Sequence, residues 1–440
     1  MARRRRTAVA LAAATSTALL LNGCLSGDGG GNGGSADDTE EGDGSVEIIG
    51  AIPANEAVGF DEALAAFEQD SGIDVTYTPS TDFTTEIRNQ VSGNNPPDIA
   101  LFPQPGLVTD LADSGDALPL NDLIDTGALE DHIIPGFLDS VKDGDDVYAV
   151  PVRMAVKSLV WYPKPEFEDA GYEVPETWQD LKDLEEQMRS DGNTPWCLGA
   201  ESGPDTGWVY TDWVEDLMLR TAGPEVYDQW TSHEIPFDDE QVVTAIEEFG
   251  EIIHTQGNVR GGPQGSINTP FGESVSPMLN DPPGCFLHRQ ANFITTFMPE
   301  DVQQNLTDNV GVFVLPGDLE GGFEGTPLLG AGDLAAAFVN DSDVVEVMEF
   351  LASPDFGTEW AAEGGWMSPS AEFDTSNYAN EIDQQIAELA AGADTFRFDG
   401  SDLMPAAVGA GTFWDEMVAF VGGGKSASES ATAIEESYRE

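Results

Sequence analysis

The chain has 440 residues, which is more than one hydrophobic core usually serves, so two lobes are the first expectation. A hydrophobic fraction of 40% and an aromatic fraction of 9% exclude global disorder and fibrous architectures. With 17 basic and 81 acidic residues the net charge is -64, which excludes nucleic acid as a partner because such a surface repels phosphate. An acidic chain with so few lysines is typical of adaptation to high salt, although an ordinary acidic secreted protein is the alternative.

The first residues have the features of an export signal. Residues 3–6 are arginines, and residues 8–21 form an apolar run shorter than the roughly 20 residues of a transmembrane helix. The run ends in LNGC, which resembles a lipobox whose cysteine, Cys24, is acylated and becomes the new N-terminus. We predict a lipoprotein signal peptide over residues 1–23, with plain secretory cleavage as the alternative and the choice between Sec and twin-arginine export left open.

A flexible, acidic, glycine-rich tether is predicted over residues 24–45, because this stretch has no apolar periodicity. No later stretch approaches 18 apolar residues, so we expect an exported globular body that lipid alone anchors to the outer face of the cytoplasmic membrane. Cys197 and Cys285 are the remaining cysteines of that body. In this compartment we expect them to form a disulfide.

Strands and helices alternate through the first part of the body. Periodicity predicts strands at residues 46–52, 73–77 and 99–102, with a helix on Phe60, Leu64 and Phe67 and another over residues 84–91. This order with short turns is typical of a mostly parallel α/β sheet, whose ligands bind beyond the carboxyl ends of the strands. Further helices are predicted over residues 178–189, 208–220, 240–255, 341–352 and 406–421.

Catalytic and metal-binding motifs do not rise above the background of the composition. Carboxylate pairs occur throughout so acidic a chain, the four histidines are scattered, and no G-x-S-x-G, H-E-x-x-H or P-loop motif occurs. We therefore expect no enzyme, no metal and no cofactor.

Two constellations do suggest a ligand. Trp208, Asp212 and Trp213 place aromatic faces beside a carboxylate, which suits a sugar ring and its hydroxyls, although at least one of the tryptophans is expected in the core. Arg153 and Lys157 lie four residues apart in an apolar segment of a chain with few cations. They indicate either a specific ligand role or buried salt bridges.

The chain resembles the sugar-binding lipoproteins of ABC importers, in the α-glucoside-binding branch of the maltose-binding-like group. The resemblance covers nearly the whole mature body, through motifs whose order and spacing match. These motifs are FDEAL at 60–64, FEQDSGI at 67–73, GNNPPDIA at 93–100, FPQPG at 102–106, YAVP at 148–151, SLVWY at 158–162, TDWVED at 211–216, CFLHRQANF at 285–293, GGWMSP at 364–369, MP at 404–405 and FW at 413–414.

This resemblance implies a two-lobed α/β fold of the periplasmic-binding-protein type, the Venus-flytrap, in which each lobe is a mostly parallel sheet flanked by helices and discontinuous in sequence. It places the N-terminal lobe at residues 46–152 plus about 320–370 and the C-terminal lobe at 153–319 plus about 371–440. A small sugar ligand would bind between the lobes of a monomer, and the closed form would be read by membrane permease subunits.

The resemblance also implies ligand-binding positions, carried over residue by residue. They are Asn55, Glu56, Asp82, Gln104, Arg153, Lys157, Trp208, Asp212, Trp213, His288, Arg289, Gln290, Gly332, Asp333, Trp366 and Trp414. For Asp333 the alternative is a helix N-cap over residues 334–336. The ligand is expected to be a neutral α-glucoside. The alternatives are a glucosyl osmolyte such as glucosylglycerol or trehalose, a polyamine, and a lipid-anchored glycosidase in place of a binding protein.

Overall fold

A computed structural model describes residues 39–54, 56–80, 82–134, 136–317 and 321–438. The predicted signal peptide, the lipidated Cys24, most of the tether and Asn55 lie outside the described residues. Within them, no helix combines the length and the apolar character that crossing a membrane requires.

Strands and helices alternate along the chain, as the sequence predicts. The strands are β1 (Ser45–Gly50), β2 (Asp74–Pro79), β3 (Ile99–Phe102), β4 (Lys142–Asp143), β5 (Asp146–Val147), β6 (Val150–Val156), β7 (Leu159–Pro163), β8 (His288–Arg289), β9 (Val310–Val314), β10 (Pro327–Ala337) and β11 (Thr395–Phe398). The α-helices are α1 (Val58–Ser71), α2 (Phe83–Ser92), α3 (Pro105–Asp113), α4 (Thr126–His132), α5 (Lys164–Asp169), α6 (Trp178–Ser190), α7 (Trp208–Thr221), α8 (Pro224–Thr231), α9 (Glu240–His254), α10 (Gly262–Asn268), α11 (Glu300–Gln303), α12 (Leu306–Asn309), α13 (Ser342–Leu351), α14 (Thr358–Glu363), α15 (Glu381–Ala391), α16 (Gly400–Leu403), α17 (Trp414–Val421) and α18 (Ala427–Ser437).

A six-stranded sheet combines strands from the first part of the body with β10 and β11 from its last part. Its strand order is β11-β10-β3-β1-β2, and β6 pairs with β10. β1 pairs in parallel with β2 and β3, because α1 and α2 each return the chain to the edge where the strands begin. All four residues of β3 are buried, which explains why the strand reads as an uninterrupted apolar run.

Asp333 does not cap a helix, so the alternative prediction for this residue is wrong. It lies within β10, which runs antiparallel to β3 and β6 and parallel to β11. Pairing with these neighbours buries Ala335 and Ala336 and outweighs the intrinsic helix propensity of alanine. A register shift between Asp333 and Leu334 marks a β-bulge at this point, a feature that often re-aims side chains beside a binding site.

A second, three-stranded sheet has the order β8-β7-β9, and both of its pairings are antiparallel. The sequence predicts parallel pairing in both lobes. Parallel pairs occur in the larger sheet, whereas the smaller sheet is antiparallel throughout. Helix α7 packs against α9 and α17 and contacts β10 of the larger sheet, while Arg289 of β8 bonds Asp216 of α7. The helix predicted over residues 406–421 is divided into a π-helical segment, Val408–Phe413, and α17.

Two hydrophobic cores result. The first surrounds the six-stranded sheet, and the second is built from α6, α7, α9, α17 and α18. Cys197 and Cys285 lie at disulfide distance, with Cα atoms 5.3 Å apart, and belong to the first core together with Val275 and Met278. The first core thus extends into chain predicted for the C-terminal lobe, and the lobe boundaries stay a prediction.

Candidate ligand-binding site

A cavity of about 200 Å³ lies where β6, β10 and the segment after β8 approach one another. We call it the central cavity. Four residues predicted from the sequence line it: Arg153, Lys157, Gly332 and Asp333. The fold therefore brings together side chains that are up to 180 residues apart in the chain.

Arg153 is held between two carboxylates. The ladder pairs it with Asp333 on β10, and its Nε donates to Asp333 Oδ2 at 2.6 Å. Its Nη1 donates to Glu56 Oε2 at 3.0 Å. Burial opposes the charge of the guanidinium, but Asp333 and Glu56 outweigh burial and raise its pKa. Arg153 is thus charged and already paired on the cavity wall.

Lys157 joins three separate parts of the chain. It follows β6, and its Nζ donates to Asp212 Oδ1 on α7 at 2.9 Å and to Asp399 Oδ2 after β11. Burial disfavours the ammonium, yet the two carboxylates more than compensate and raise its pKa. The Nζ atom also lies 5.6 Å from the centre of the Trp208 ring. The predicted salt-bridge role of Lys157 therefore coexists with a position on the cavity wall.

Helix geometry sets what α7 presents to this region. Trp208 and Asp212 are four residues apart and share one face of the helix. Trp208 is partly exposed, and its Nε1 donates to the Ser202 hydroxyl at 2.9 Å. Asp212 is buried, and its Oδ2 accepts no hydrogen bond from the described residues. Burial raises the pKa of Asp212 to about 7, with Lys157 opposing the shift.

The start of α7 is set by a glycine. Gly207 has φ 132°, which favours glycine, and a Cβ there would lie 2.6 Å from the Cβ of Trp414. Trp414 is half-buried against this turn at the start of α7, and its ligand role stays a prediction. Gly332 is required for a similar reason, because a Cβ there would collide with the Arg153 carbonyl and the Phe137 ring.

A carboxylate cluster lies behind Lys157. One oxygen from each of Asp212, Glu215 and Asp399 lies within 4.8 Å of the others, and the Lys157 ammonium is the cation that this cluster binds. Glu215 accepts hydrogen bonds from the backbone N–H groups of Gly400 and Ser401. Burial raises the pKa of Glu215, whereas Lys157 overcomes burial to hold the pKa of Asp399 below its usual range. The cluster joins α7 to the loop after β11.

Three consecutive predicted residues lie in the interior beside the cavity. Arg289 donates through Nη2 to Asp216 Oδ2 at 2.8 Å and to the Asp212 carbonyl at 2.9 Å. His288 Nδ1 hydrogen-bonds the Cys197 carbonyl, and burial lowers the pKa of the ring to about 4. Gln290 accepts from the Ala291 N–H. All three are buried and none lines the central cavity, and Arg289 is the one that bonds β8 to α7.

Two predicted tryptophans are core residues. Trp213 is 1% exposed and packs against Trp196 and Phe249. Trp366 is fully buried and donates from Nε1 to the Val152 carbonyl at 3.1 Å. Neither ring has a face free for a ligand here. Among the four predicted tryptophans, Trp208 offers the partly exposed ring next to Lys157.

The two remaining predicted residues lie at the periphery. Gln104 lines a neighbouring cavity of about 290 Å³, which we call the side cavity. Asp82 is exposed before α2 and lines neither cavity.

Sequence reasoning missed Asp399, Asp402 and Asn292. Asp402 lines both cavities, and Asn292 lines the central one while accepting from the Val156 N–H. The sequence does contain a signal for Asp399 and Asp402. Residues 395–398 alternate between polar and apolar side chains, which predicts a strand, and both aspartates come within four residues of its end. A strand that short is difficult to recognise without the sheet it joins.

A larger cavity of about 570 Å³ adjoins the central cavity at Gly365 and is lined by residues such as Gln303, Asn305 and Asn380. It has no aromatic side chain and contains no residue predicted for the site. We assign the ligand site to the central cavity because the paired cations and the predicted residues converge there.

Comparison with known proteins identifies the class. A model of the bacterial extracellular solute-binding protein family matches residues 53–358, and the chain belongs to this family. It is therefore the substrate-binding component of an ABC transporter and not an enzyme.

Two relatives match most of the chain. It is 42% identical over 378 residues to the osmoprotective compounds-binding protein GgtB of Synechocystis sp., covering 86% of this chain and 89% of that protein. It is 40% identical over 391 residues to the alpha-glucosides-binding periplasmic protein AglE of Rhizobium meliloti, covering 86% and 85%.

Solved structures confirm the two-lobed α/β fold class. The bacterial solute receptor AcbH is similar with a TM-score of 0.76 and 15% identity, over 92% of this chain and 99% of that chain. A chitin oligosaccharide binding protein gives a TM-score of 0.73 with 18% identity, over 89% and 97%. At these identities the likeness concerns the fold alone.

Proposed function

We propose that the chain captures a neutral α-glucoside, or a small glucosyl osmolyte, and delivers it to a membrane permease. The observation that carries this proposal is the similarity along 86% of the chain to GgtB and AglE, which are named for osmoprotective compounds and alpha-glucosides. The surroundings of the central cavity support it, since Lys157 on the cavity wall lies next to both the Trp208 ring and the Asp212 carboxylate.

In this proposal the sugar ring stacks on Trp208 and a hydroxyl donates to Asp212 Oδ2. That oxygen is buried without a partner, and a buried acceptor gains most when a ligand satisfies it. Asp212 and Trp208 share one helix face, so one ring can contact both. The other predicted ligand residues stay proposals, with the buried ones acting through their contacts with these two.

We further propose that the lobes span residues 46–152 with about 320–370, and 153–319 with about 371–440. A ligand in the central cavity would contact β6 and β10 together with Lys157, which bonds Asp212 of α7, and so would favour closure of the lobes around it. Small-angle scattering with and without ligand tests this, and an unchanged radius of gyration at saturation contradicts it.

Asp212→Asn weakens binding of the glucoside at least about tenfold, because a charge-assisted hydrogen bond contributes about 1.5–3 kcal/mol and 1.4 kcal/mol is a factor of ten. Isothermal titration in molar NaCl, first with maltose, trehalose and glucosylglycerol, measures the change. The matched control is Asp238→Asn, which removes the same charge from an exposed position. An Asp212→Asn affinity within twofold of wild type removes Asp212 from the site.

The same titration carries a pH signature. Because burial raises the pKa of Asp212 to about 7, the carboxyl takes up a proton as the pH falls below 7, and the acceptor charge is lost. Wild-type affinity therefore falls from pH 8 to pH 6, and binding releases protons at pH 7. In Asp212→Asn this pH dependence disappears.

We propose that the exported protein is acylated on Cys24 and carries an oxidised Cys197–Cys285 pair, for which the Cα separation of 5.3 Å is suitable. Mass spectrometry of unreduced peptides from membranes of the native host is expected to give a lipid-modified N-terminal peptide and a cross-linked pair. Two free thiols contradict the disulfide, and an unmodified Cys24 contradicts the anchor.

A further inference from the structure

We propose that Asp402 selects against negatively charged ligands, so that the central cavity admits uncharged glucosides and rejects their carboxylate and phosphate counterparts. The inference rests on the proposed function, since it concerns which members of a ligand class the same site accepts. It assigns a specificity role to a residue that sequence reasoning did not find.

Asp402 occupies the wall shared by the two cavities. It belongs to α16, and its side chain lines both the central and the side cavity. Hydrogen bonds hold α16 in place. Asp399 Oδ1 accepts from the Asp402 N–H at 3.2 Å, and Glu215 accepts from the N–H groups of Gly400 and Ser401. Asp402 is thus a half-buried residue on a held segment that lines both cavities, and its carboxyl interacts with Gln104 of the side cavity.

The cavity has no spare positive charge for an anion. Its two cations, Arg153 and Lys157, are each bonded to two carboxylates. Asp402 itself forms no ion pair with a lysine or arginine of the described chain. An anionic ligand would therefore have to break an existing pair, and it would meet Asp402 without compensation.

The other charged groups around Asp402 leave the local net charge negative. Close to it lie Lys157, Asp212 and Asp399. On the cavity walls, Arg88 pairs with Asp110 and Arg153 with Asp333. Burial, and then the charge of Asp399, raise the pKa of the Asp402 carboxyl. The carboxyl therefore ionises above its ordinary range, and rejection of anions deepens as the pH rises.

The test compares matched ligand pairs. Glucosylglycerol is titrated beside glucosylglycerate at pH 6 and pH 9, since the carboxylate of glucosylglycerate is charged at both, and trehalose beside trehalose 6-phosphate at pH 9 only, because the phosphate takes up a proton near pH 6. All titrations are in molar NaCl. Exposed charges are screened at this salt concentration, whereas a charge on a cavity wall is screened much less. For whichever pair shows binding, we expect the wild type to bind the neutral member at least tenfold more tightly than the anionic member at pH 9, and, for the glucosylglycerol pair, by a smaller factor at pH 6. Because Asp212 also ionises in this range and repels anions, the pH comparison is repeated in an Asp212→Asn background, where Asp402 is the group whose ionisation is followed.

Asp402→Asn keeps the shape and the hydrogen-bonding backbone while removing the charge. We expect the neutral-to-anionic ratio to fall at least fivefold at pH 9 and to lose its pH dependence. Asp238→Asn, an exposed aspartate, controls for net charge and leaves the ratio unchanged. A ratio that stays the same in Asp402→Asn, or an anion preferred by wild type, overturns this inference alone. Failure of every neutral glucoside to bind overturns the proposed function and the inference with it.

Discussion

Lys157→Met is expected to lower the free energy of unfolding by about 3–5 kcal/mol at pH 8. The ammonium is 7% exposed and bonds Asp212 and Asp399, with Glu215 directly behind them. Removing the cation leaves buried carboxylates uncompensated, which costs far more than losing an exposed ion pair. Urea denaturation in molar NaCl measures the loss.

The destabilisation shrinks as the pH falls. In wild type Lys157 holds the pKa of Asp399 below its usual range, so this pair stabilises the fold above pH 4 and is lost only in strong acid. Without Lys157, burial raises the pKa of Asp399, and the variant loses stability as the pH rises through that higher value. The difference between variant and wild type is therefore larger at pH 8 than at pH 5.

Lys164→Met is the matched control, because Lys164 Nζ bonds the Thr307 carbonyl and no carboxylate among the described residues. It is expected to cost less than about 1 kcal/mol. Adding Asp399→Asn to Lys157→Met is expected to restore part of the loss. Equal losses in the two lysine variants, or no recovery in the double variant, contradict the charge argument.

Local patterns predicted several of the longer elements closely. β3 begins and ends where the sequence indicates, and α6, α7 and α9 each differ by one residue at one end. The N-terminus of α6 shows why, since Thr177 and Asp180 form a capping box that is encoded within four residues. The helix N-cap predicted as the alternative for Asp333 was wrong because the strand that contains Asp333 is determined by three partner strands distant in sequence.

The types of residue in the candidate site could be predicted from the sequence, but the directions in which their side chains point could be predicted less well. Five residues of helix turn the chain by about 140°, so Trp208 and Trp213 cannot point the same way. Composition alone does not tell which of them faces the core. Arg153 and Lys157 were found because cations are scarce in this chain, whereas Asp399 and Asp402 were missed because carboxylates are everywhere.

Salt concentration is expected to decide whether the body folds at all. Most lysines and arginines of the described chain are already ion-paired, for example Arg397 with Asp228 and Lys425 with Glu416. The great majority of the 81 acidic residues have no cation left to pair with, and the net charge is -64. Their mutual repulsion opposes compaction and acts over the Debye length of the solution.

Dialysis from molar salt into about 10 mM salt extends that length from roughly 3 Å to roughly 30 Å, so that charges across much of the surface repel one another. We expect circular dichroism to show loss of structure in the dilute buffer and its recovery when salt is restored. NaCl and KCl at equal ionic strength act alike if screening is the cause, whereas a response to one cation alone indicates specific binding. A spectrum unchanged down to 10 mM removes the high-salt interpretation, because the uncompensated carboxylates would then be tolerated without screening.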